Sequence, residues 1–152
     1  MMLSECINDY KNDCYGLAHS TAKLYTTHLN RLVEVVGDVA MEQWEAPSAL
    51  RKFMAGLRCK DGRPYSKFYL HQVYRTLNTF FRWVVREEIW DANPMVRVRR
   101  PRLPKRKSPR LTFAEIECLL DAVVQTSPSA RNLAIVCLML DSGLRRKEIV
   151  EL

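Results

Sequence analysis

The sequence predicts an all-α protein, and two observations lead to this fold class. Apolar residues recur every three or four positions in several segments, which is the period of an amphipathic helix. No segment shows the sustained apolar and polar alternation that is typical of a half-buried strand. With 47% hydrophobic and 27% charged residues, a chain of 152 residues has enough apolar material for one ordinary domain or two small ones.

Three helices are predicted in the first part of the chain. The first covers residues 3 to 15. The second begins after an N-cap at Ser20 and ends at Gly37, which fits a C-cap position. The third begins at Pro47, because proline is favoured in the first helical turn, and ends near Leu57.

The fourth predicted helix, from Ser66 to about Glu87, has the clearest pattern. Its apolar side consists of Leu70, Val73, Tyr74, Leu77, Phe80, Phe81 and Val84. The opposite side repeats at helical spacing and carries His71, Arg75, Asn78, Arg82 and Arg86. A solvated face is the default interpretation of such a stripe. Arginine, however, binds phosphate or guanine and asparagine binds adenine, so this side is also suited to a major groove.

Two further polar sets would extend a DNA-binding surface. On the second helix, the side opposite the apolar stripe carries Lys23, Thr27 and Asn30. The segment 51–75 contains only one acidic residue, Asp61. It contains six basic residues in addition to Arg75, and Lys67 is one of them. We therefore include these polar residues and Lys67 among the predicted DNA contacts.

The excess positive charge of the chain lies in residues 97–110, the basic strap. Eight of its fourteen residues are Lys or Arg, whereas the rest of the chain has 16 basic and 17 acidic residues. Three prolines exclude a regular helix, so the strap is predicted to be extended. It is either a solvated linker or a segment that lies along nucleic acid and neutralises phosphates. Under the second interpretation its DNA contacts are Arg97, Arg99, Arg100, Arg102, Lys105, Arg106 and Lys107.

A second helical unit is predicted beyond the strap. Thr112 and Glu115 form a capping box at the start of one helix, and Ser127 followed by Pro128 starts the next. The segment 133–140 is apolar on every side, which is typical of a helix surrounded by protein. Only 42 residues follow the strap, so we expect this unit to be truncated.

Other classes of protein and site receive little support. The five cysteines are widely spaced without a CxxC pair and, like the three histidines, form no plausible metal set. We expect reduced cysteines in a cytoplasmic protein. The longest apolar run has eight residues, too few to cross a bilayer, and the N-terminus has no secretory pattern.

The last segment carries a candidate catalytic residue. Gly143 is predicted to form a tight bend, and Arg145 then lies at the start of a helix with Glu148 one turn further on. An arginine in this position is suited to clamp a phosphate, and a structural capping role is about as plausible from the motif alone.

The segment Ser142 to Glu148 resembles the T-G-L-R-x-x-E-L motif of the tyrosine site-specific recombinases, the phage-integrase family. Gly143, Leu144, Arg145 and Glu148 match, and Ser142 stands where threonine is usual. Looser matches occur in the family's order elsewhere in the chain: Ser20-Thr21 with Tyr25 and Leu29, Phe80-Phe81-Arg82-Trp83 with Asn93-Pro94, the basic strap, and Leu111-Thr112 with Glu115.

This resemblance implies a four-helix SAM-like core-binding domain over residues 1–96, an inter-domain linker over 97–110, and the start of a catalytic domain over 111–152. It implies double-stranded DNA and other recombinase protomers as partners, and no metal or other cofactor. In the family a tyrosine attacks a DNA phosphate and forms a 3′-phosphotyrosyl link, while Arg145 would hold the non-bridging oxygens. The family's other catalytic residues, including the nucleophile, follow the arginine, and all six tyrosines here precede it. Residues 1–152 are therefore expected not to cut DNA alone.

Two other functions remain open from the sequence. One is a stand-alone DNA-binding regulatory module that occupies recombination sites without cleaving them. The other is a helical protein-interaction module in which the strap is only a linker.

Overall fold

The computed structural model describes residues 1–104 and 110–152 and confirms the all-α fold class. Within these residues there are seven α-helices, three short 3₁₀ turns and no strand. The chain divides into two compact units, residues 1–105 and residues 106–152. Three predicted DNA contacts of the strap, Lys105, Arg106 and Lys107, lie outside the described residues.

The helices follow in chain order. The first unit contains α1 (Leu3–Asp13), α2 (His19–Val36), α3 (Ala46–Gly56) and α4 (Lys67–Arg86). Its 3₁₀ turns are Cys14–Gly16, Met41–Gln43 and Pro94–Arg97. The second unit contains α5 (Phe113–Val124), α6 (Ser129–Ser142) and α7 (Arg146–Val150).

Among the predicted starts of α2, α4, α5 and α6, two hold and two are wrong. The Ser66 hydroxyl accepts the Tyr69 N–H and caps α4, and the Thr112 hydroxyl accepts the Glu115 N–H and caps α5. Ser20 is not an N-cap, because the Ala18 carbonyl already accepts backbone N–H groups from the first turn of α2. Ser127 is not one either, because Pro128 occupies the cap position of α6.

The core of the first unit is built around α4. Val73, Leu77, Phe80, Phe81 and Val84 are almost fully buried, as the helical period predicted. They pack with apolar residues from the other three helices and from the turns, including Leu3, Ile7, Tyr10, Leu29, Leu32, Leu50 and Phe53. Burial of this apolar area is the main favourable contribution to folding of the unit.

The chain that leaves α4 turns back onto this core. Met95 is fully buried and Val98 is 5% exposed, so the beginning of the basic strap is attached to the bundle. The Asn93 carboxamide accepts the Met95 N–H and fixes the intervening turn. The strap therefore begins from a defined position on the helical unit.

The second unit has no buried residue among those described. Leu138, Met139 and Leu140 of α6 are each more than a third exposed, although their segment was predicted to be surrounded by protein. The three helices of this unit are too few to cover an apolar helix on every side.

Replacing Phe80 by alanine should lower the free energy of unfolding of the first unit by about 3–5 kcal/mol. The reason is that Phe80 is fully buried and its ring contacts those of Tyr10, Phe81 and Trp83. Urea denaturation followed by tryptophan fluorescence is the measurement, because all three tryptophans lie in this unit.

The matched control is Phe68→Ala, since Phe68 is 41% exposed at the start of α4. We expect that substitution to change stability by no more than about 1 kcal/mol. Equal effects at the two positions would contradict the assignment of Phe80 to the core.

Candidate nucleic-acid interface

The described part of the strap lies beside the N-terminal half of α4. The Arg100 Nε–H donates a hydrogen bond to His71 Nε2 at 3.0 Å. A depression of about 300 Å³ is lined by Lys67 and by the strap residues Arg99, Arg100, Pro101 and Arg102. Another, of about 530 Å³, includes Arg75 and, from the strap, Leu103. The structure thus brings residues of α4 and of the strap into one basic surface.

Hydrogen bonds between α4 and the returning chain hold this arrangement. The Asn93 Nδ2–H donates to Asn78 Oδ1 at 3.0 Å, and the Tyr74 hydroxyl donates to the Met95 carbonyl at 3.4 Å. From α3, the Arg51 guanidinium donates to the Arg97 carbonyl at 3.4 Å. The segment that leads into the strap, and Arg97 at its start, are therefore attached to the helical unit at several points.

The polar side of α4 is only partly available to a ligand. Arg75 and Arg82 are exposed, and within the described residues their guanidinium groups have no hydrogen-bond or ion-pair partner. His71, in contrast, is only 9% exposed, and the Asn78 carboxamide is half-buried and bonded to Asn93. A helical period identifies one side of a helix, but it does not show which other segment covers that side.

Arg86 is neutralised by two carboxylates of the protein, although its side chain is exposed. Its guanidinium lies 2.6 Å from an Asp13 carboxylate oxygen and 3.0 Å from one of Glu87. These hydrogen bonds, Asp13 first, raise the pKa of Arg86 above its usual value. Arg82 is therefore the last residue of the predicted stripe whose positive charge is unpaired within the described residues.

The predicted contacts on α2 lie on its exposed side. Lys23, Thr27 and Asn30 are all exposed. The Thr27 hydroxyl donates to the Lys23 carbonyl, and Asn30 Oδ1 accepts from the Lys11 ammonium at 3.2 Å. The Lys23 side chain and the Asn30 amide nitrogen remain available for other partners within the described part of the chain.

His71 joins the two halves of the basic surface as a neutral imidazole. Its Nε2 accepts the Arg100 hydrogen bond, so this nitrogen carries no proton. Burial lowers the pKa of His71, and the positive charges of Arg100 and Arg75 lower it further. A protonated His71 would place a third cation between these two arginines.

A cluster of side chains around Arg31 fixes the turn after α3. No sequence pattern revealed this cluster. The Arg31 guanidinium donates to the Tyr65 hydroxyl at 2.6 Å and to the Arg58 carbonyl at 2.8 Å. Arg31 also lies 5.0 Å from the centre of the Tyr65 ring, and the Tyr65 ring stacks on that of Tyr69. Arg31 and Tyr65 are 34 residues apart, and no local motif links them.

The predicted geometry around Arg145 is confirmed. Gly143 has a φ of 66°, the left-handed conformation that glycine adopts easily, and ends α6. Arg145 then caps α7, and its guanidinium lies 3.1 Å from Glu148 Oε1. Glu148 also accepts the Arg145 backbone N–H, so it fixes both the backbone and the side chain. The Arg145 side chain is 85% exposed and accessible to an anion.

The described residues contain neither a cluster of possible metal ligands nor a helix that could cross a membrane. No three side chains of His, Cys, Asp or Glu lie close enough together to hold a metal ion. None of the helices in 1–104 and 110–152 is long and apolar enough to cross a membrane.

Acidification should detach Arg100 from α4. The pKa of His71 is lowered in the folded state, so the bond is fully present above the usual histidine value of about 6.5 and is lost as pH falls through the lowered pKa. The measurement is the Arg100 Nε–H signal in a ¹H–¹⁵N NMR titration.

The His71→Gln variant keeps an acceptor that does not titrate, so its Arg100 signal should not move over the same range. His19→Gln, at an exposed histidine, is the matched control and should titrate like the unmodified chain. An unchanged midpoint in His71→Gln would show that another group controls the strap.

Comparison with known proteins identifies relatives of one kind. No protein-family model and no solved structure matches the chain. Tyrosine recombinase XerD of Vibrio cholerae is 30% identical over 142 residues, which is 90% of this chain and 45% of that protein. Tyrosine recombinase XerC is 27% identical over 138 residues in Salmonella typhi and 25% identical over 136 residues in Serratia marcescens, with the same shares covered. The chain thus spans about half the length of these curated relatives. The similarity extends over about 90% of the chain and supports the tyrosine recombinase family.

Proposed function

We propose that this chain is the DNA-binding part of a tyrosine recombinase and that α4 and the basic strap bind duplex DNA together. One observation carries the proposal. The strap lies against the N-terminal half of α4, so that Lys67 and Arg75 adjoin Arg99, Arg100 and Arg102.

The charges of this surface favour a polyanion. Within the described residues no ion pair neutralises Lys67, Arg75, Arg99, Arg100 or Arg102. Like charges held this close repel each other, and a row of phosphates would relieve that repulsion and release its own counterions. A solvated linker would not need the hydrogen bond to His71 or the burial of Val98, so these contacts favour the DNA-binding interpretation of the strap.

The helices provide the second component of the proposal. α4 has 20 residues and is about 30 Å long, so one end can enter a major groove while the other packs in the protein. The polar side of α2, with Lys23, Thr27 and Asn30, would contact the same duplex. We propose residues 1–96 as a SAM-like core-binding domain, 97–110 as the linker and 111–152 as the start of the catalytic domain.

For the complete recombinase we propose cleavage and rejoining of DNA through a 3′-phosphotyrosyl link, with other protomers as partners. The chain's own contribution to that step would be Arg145, which Glu148 holds at the start of α7. Two guanidinium N–H groups that bind the non-bridging phosphate oxygens would stabilise the charge that develops in the transition state.

Replacing Arg75 and Arg82 together by alanine should weaken duplex binding and reduce its salt dependence. The slope of log K against log[salt] is negative, and each removed phosphate contact reduces its magnitude by about 1. We therefore expect the magnitude of the slope to fall by about 2. Fluorescence anisotropy with a labelled duplex over a salt series measures both quantities.

The charge-matched control is Arg131→Ala with Arg146→Ala, which removes two exposed arginines that lie outside the proposed surface and have no ion-pair partner among the described residues. Its slope should stay within experimental error of the unmodified chain. An equal loss of affinity in both double variants would show that net charge, and not this particular surface, determines DNA binding. Weak, salt-independent binding by the unmodified chain would favour a protein-interaction module.

Residues 1–152 should bind supercoiled plasmid without forming a covalent adduct. No tyrosine follows Arg145 in this sequence, so the family's nucleophile is absent from it. Denaturing electrophoresis of the protein after incubation with labelled DNA detects a phosphotyrosyl link. A labelled protein band would show that one of the upstream tyrosines is the nucleophile.

A further inference from the structure

The side of α4 that is open to solvent coincides only in part with the stripe that the sequence predicted. In the structure, the exposed line is formed by Phe68, Gln72, Arg75, Thr79 and Arg82, with spacings of four, three, four and three residues. His71, Asn78 and Arg86 are bonded within the protein. Phe68 and Gln72 thus belong to the exposed surface of α4, although the predicted stripe did not include them.

Gln72 is the only carboxamide on this line, and its hydrogen-bonding capacity is free. Its side chain is exposed, and within 1–104 and 110–152 it has no hydrogen-bond partner. Only its backbone is engaged, because the Gln72 carbonyl accepts the Thr76 hydroxyl at 3.2 Å. The Thr79 hydroxyl is directed to the Arg75 carbonyl at 3.0 Å. Gln72 is therefore the residue on this line that presents a free donor and a free acceptor together.

Phe68 lies next to Gln72 on the same surface. Both residues line the depression of about 530 Å³ that also includes Arg75 and Leu103. The Phe68 ring is 41% exposed, so a large apolar surface stands beside the free amide. An exposed aromatic ring beside a polar group at the start of a helix provides two different kinds of contact with the edge of a base pair.

We propose that Gln72 reads an adenine in the major groove and that Phe68 contacts the 5-methyl group of a thymine about two base pairs away. This inference rests on the proposed function and names the bases that the same surface selects. A glutamine amide donates to adenine N7 and accepts from adenine N6, and an apolar side chain fits the thymine methyl group. Neither pattern is offered by a phosphate.

The spacing of the two residues sets the distance between the two bases. Four helical residues rise about 6 Å, and successive base pairs are about 3.4 Å apart. Ser66 fixes the first turn of α4 by accepting the Tyr69 N–H, so both side chains start from an ordered backbone. Lys67 and the strap arginines would hold the register through phosphates, which is the usual division between positioning and base-reading contacts.

The experiment begins with selection of duplexes from a random library by residues 1–152. The selected duplex is then tested with 7-deazaadenine at each adenine in turn and with deoxyuridine at each thymine. Substitution of the adenine that Gln72 reads by another base should weaken binding roughly 5- to 150-fold. Loss of one thymine methyl group should weaken binding roughly fourfold. Removal of adenine N7 should cause part of the loss that the base change causes.

Gln72→Ala should remove the response to 7-deazaadenine, and Phe68→Ala should remove the response to deoxyuridine. Neither change should alter the salt slope, because neither residue is charged. Gln43→Ala replaces an exposed glutamine in another part of the unit and should keep both responses. Circular dichroism of each variant checks that the helical content is unchanged.

The outcomes separate this inference from the function on which it rests. Binding of duplex DNA with no adenine preference, or an adenine preference that survives in Gln72→Ala, would overturn the inference and leave DNA binding intact. Failure to bind any duplex at low salt would overturn both.

Discussion

The hydrogen bond from Arg100 to His71 is the contact on which the basic surface depends. Bringing a segment rich in arginine beside a helix with exposed Lys67 and Arg75 is opposed by repulsion between like charges. An acidic residue at this point would neutralise the surface, whereas a neutral imidazole accepts the bond and leaves the charge available. The remaining attachment comes from burial of Met95 and Val98 through the hydrophobic effect and from the hydrogen bonds that Tyr74 and Arg51 donate to the returning chain. The strap is therefore held in place by interactions that do not cancel its charge.

α4 links this surface to the stability of the unit. One side of the helix contributes Leu77, Phe80 and Phe81 to the core, and the other presents Gln72 and Arg75. Between the two sides, buried Thr76 bonds to His28 of α2 at 2.9 Å. The Thr76 hydroxyl also donates to the Gln72 carbonyl, so His28 Nδ1 is the donor in that contact. The rotation of α4 about its axis is thus fixed by buried contacts, and those contacts determine which side chains face a ligand.

Apart from the N-caps predicted at Ser20 and Ser127, contacts between residues three or four positions apart were predictable from the sequence, and distant contacts were not. The helical period gave the all-α fold class, the buried side of α4, the Thr112–Glu115 cap and the Arg145–Glu148 pair, because each depends on neighbouring residues. His71 and Asn78 were assigned to an open surface because their partners are 29 and 15 residues away. Gln72 lies one position from His71 and is exposed, whereas His71 is covered by a segment that the helical period cannot identify.

Arg75 and Arg86 show why the number of basic residues on a helix does not measure its affinity for DNA. Both belong to one sequence stripe, yet Arg86 is paired with Asp13, which is 73 residues away, whereas Arg75 has no partner in the described structure. A phosphate that binds Arg86 would compete with Asp13 and Glu87, so the net gain in free energy would be smaller than at Arg75. The charge available to DNA is therefore concentrated at the N-terminal half of α4, where the strap adds to it. Phosphate contacts made there would position α4 on the duplex beside the bases that its exposed side chains read.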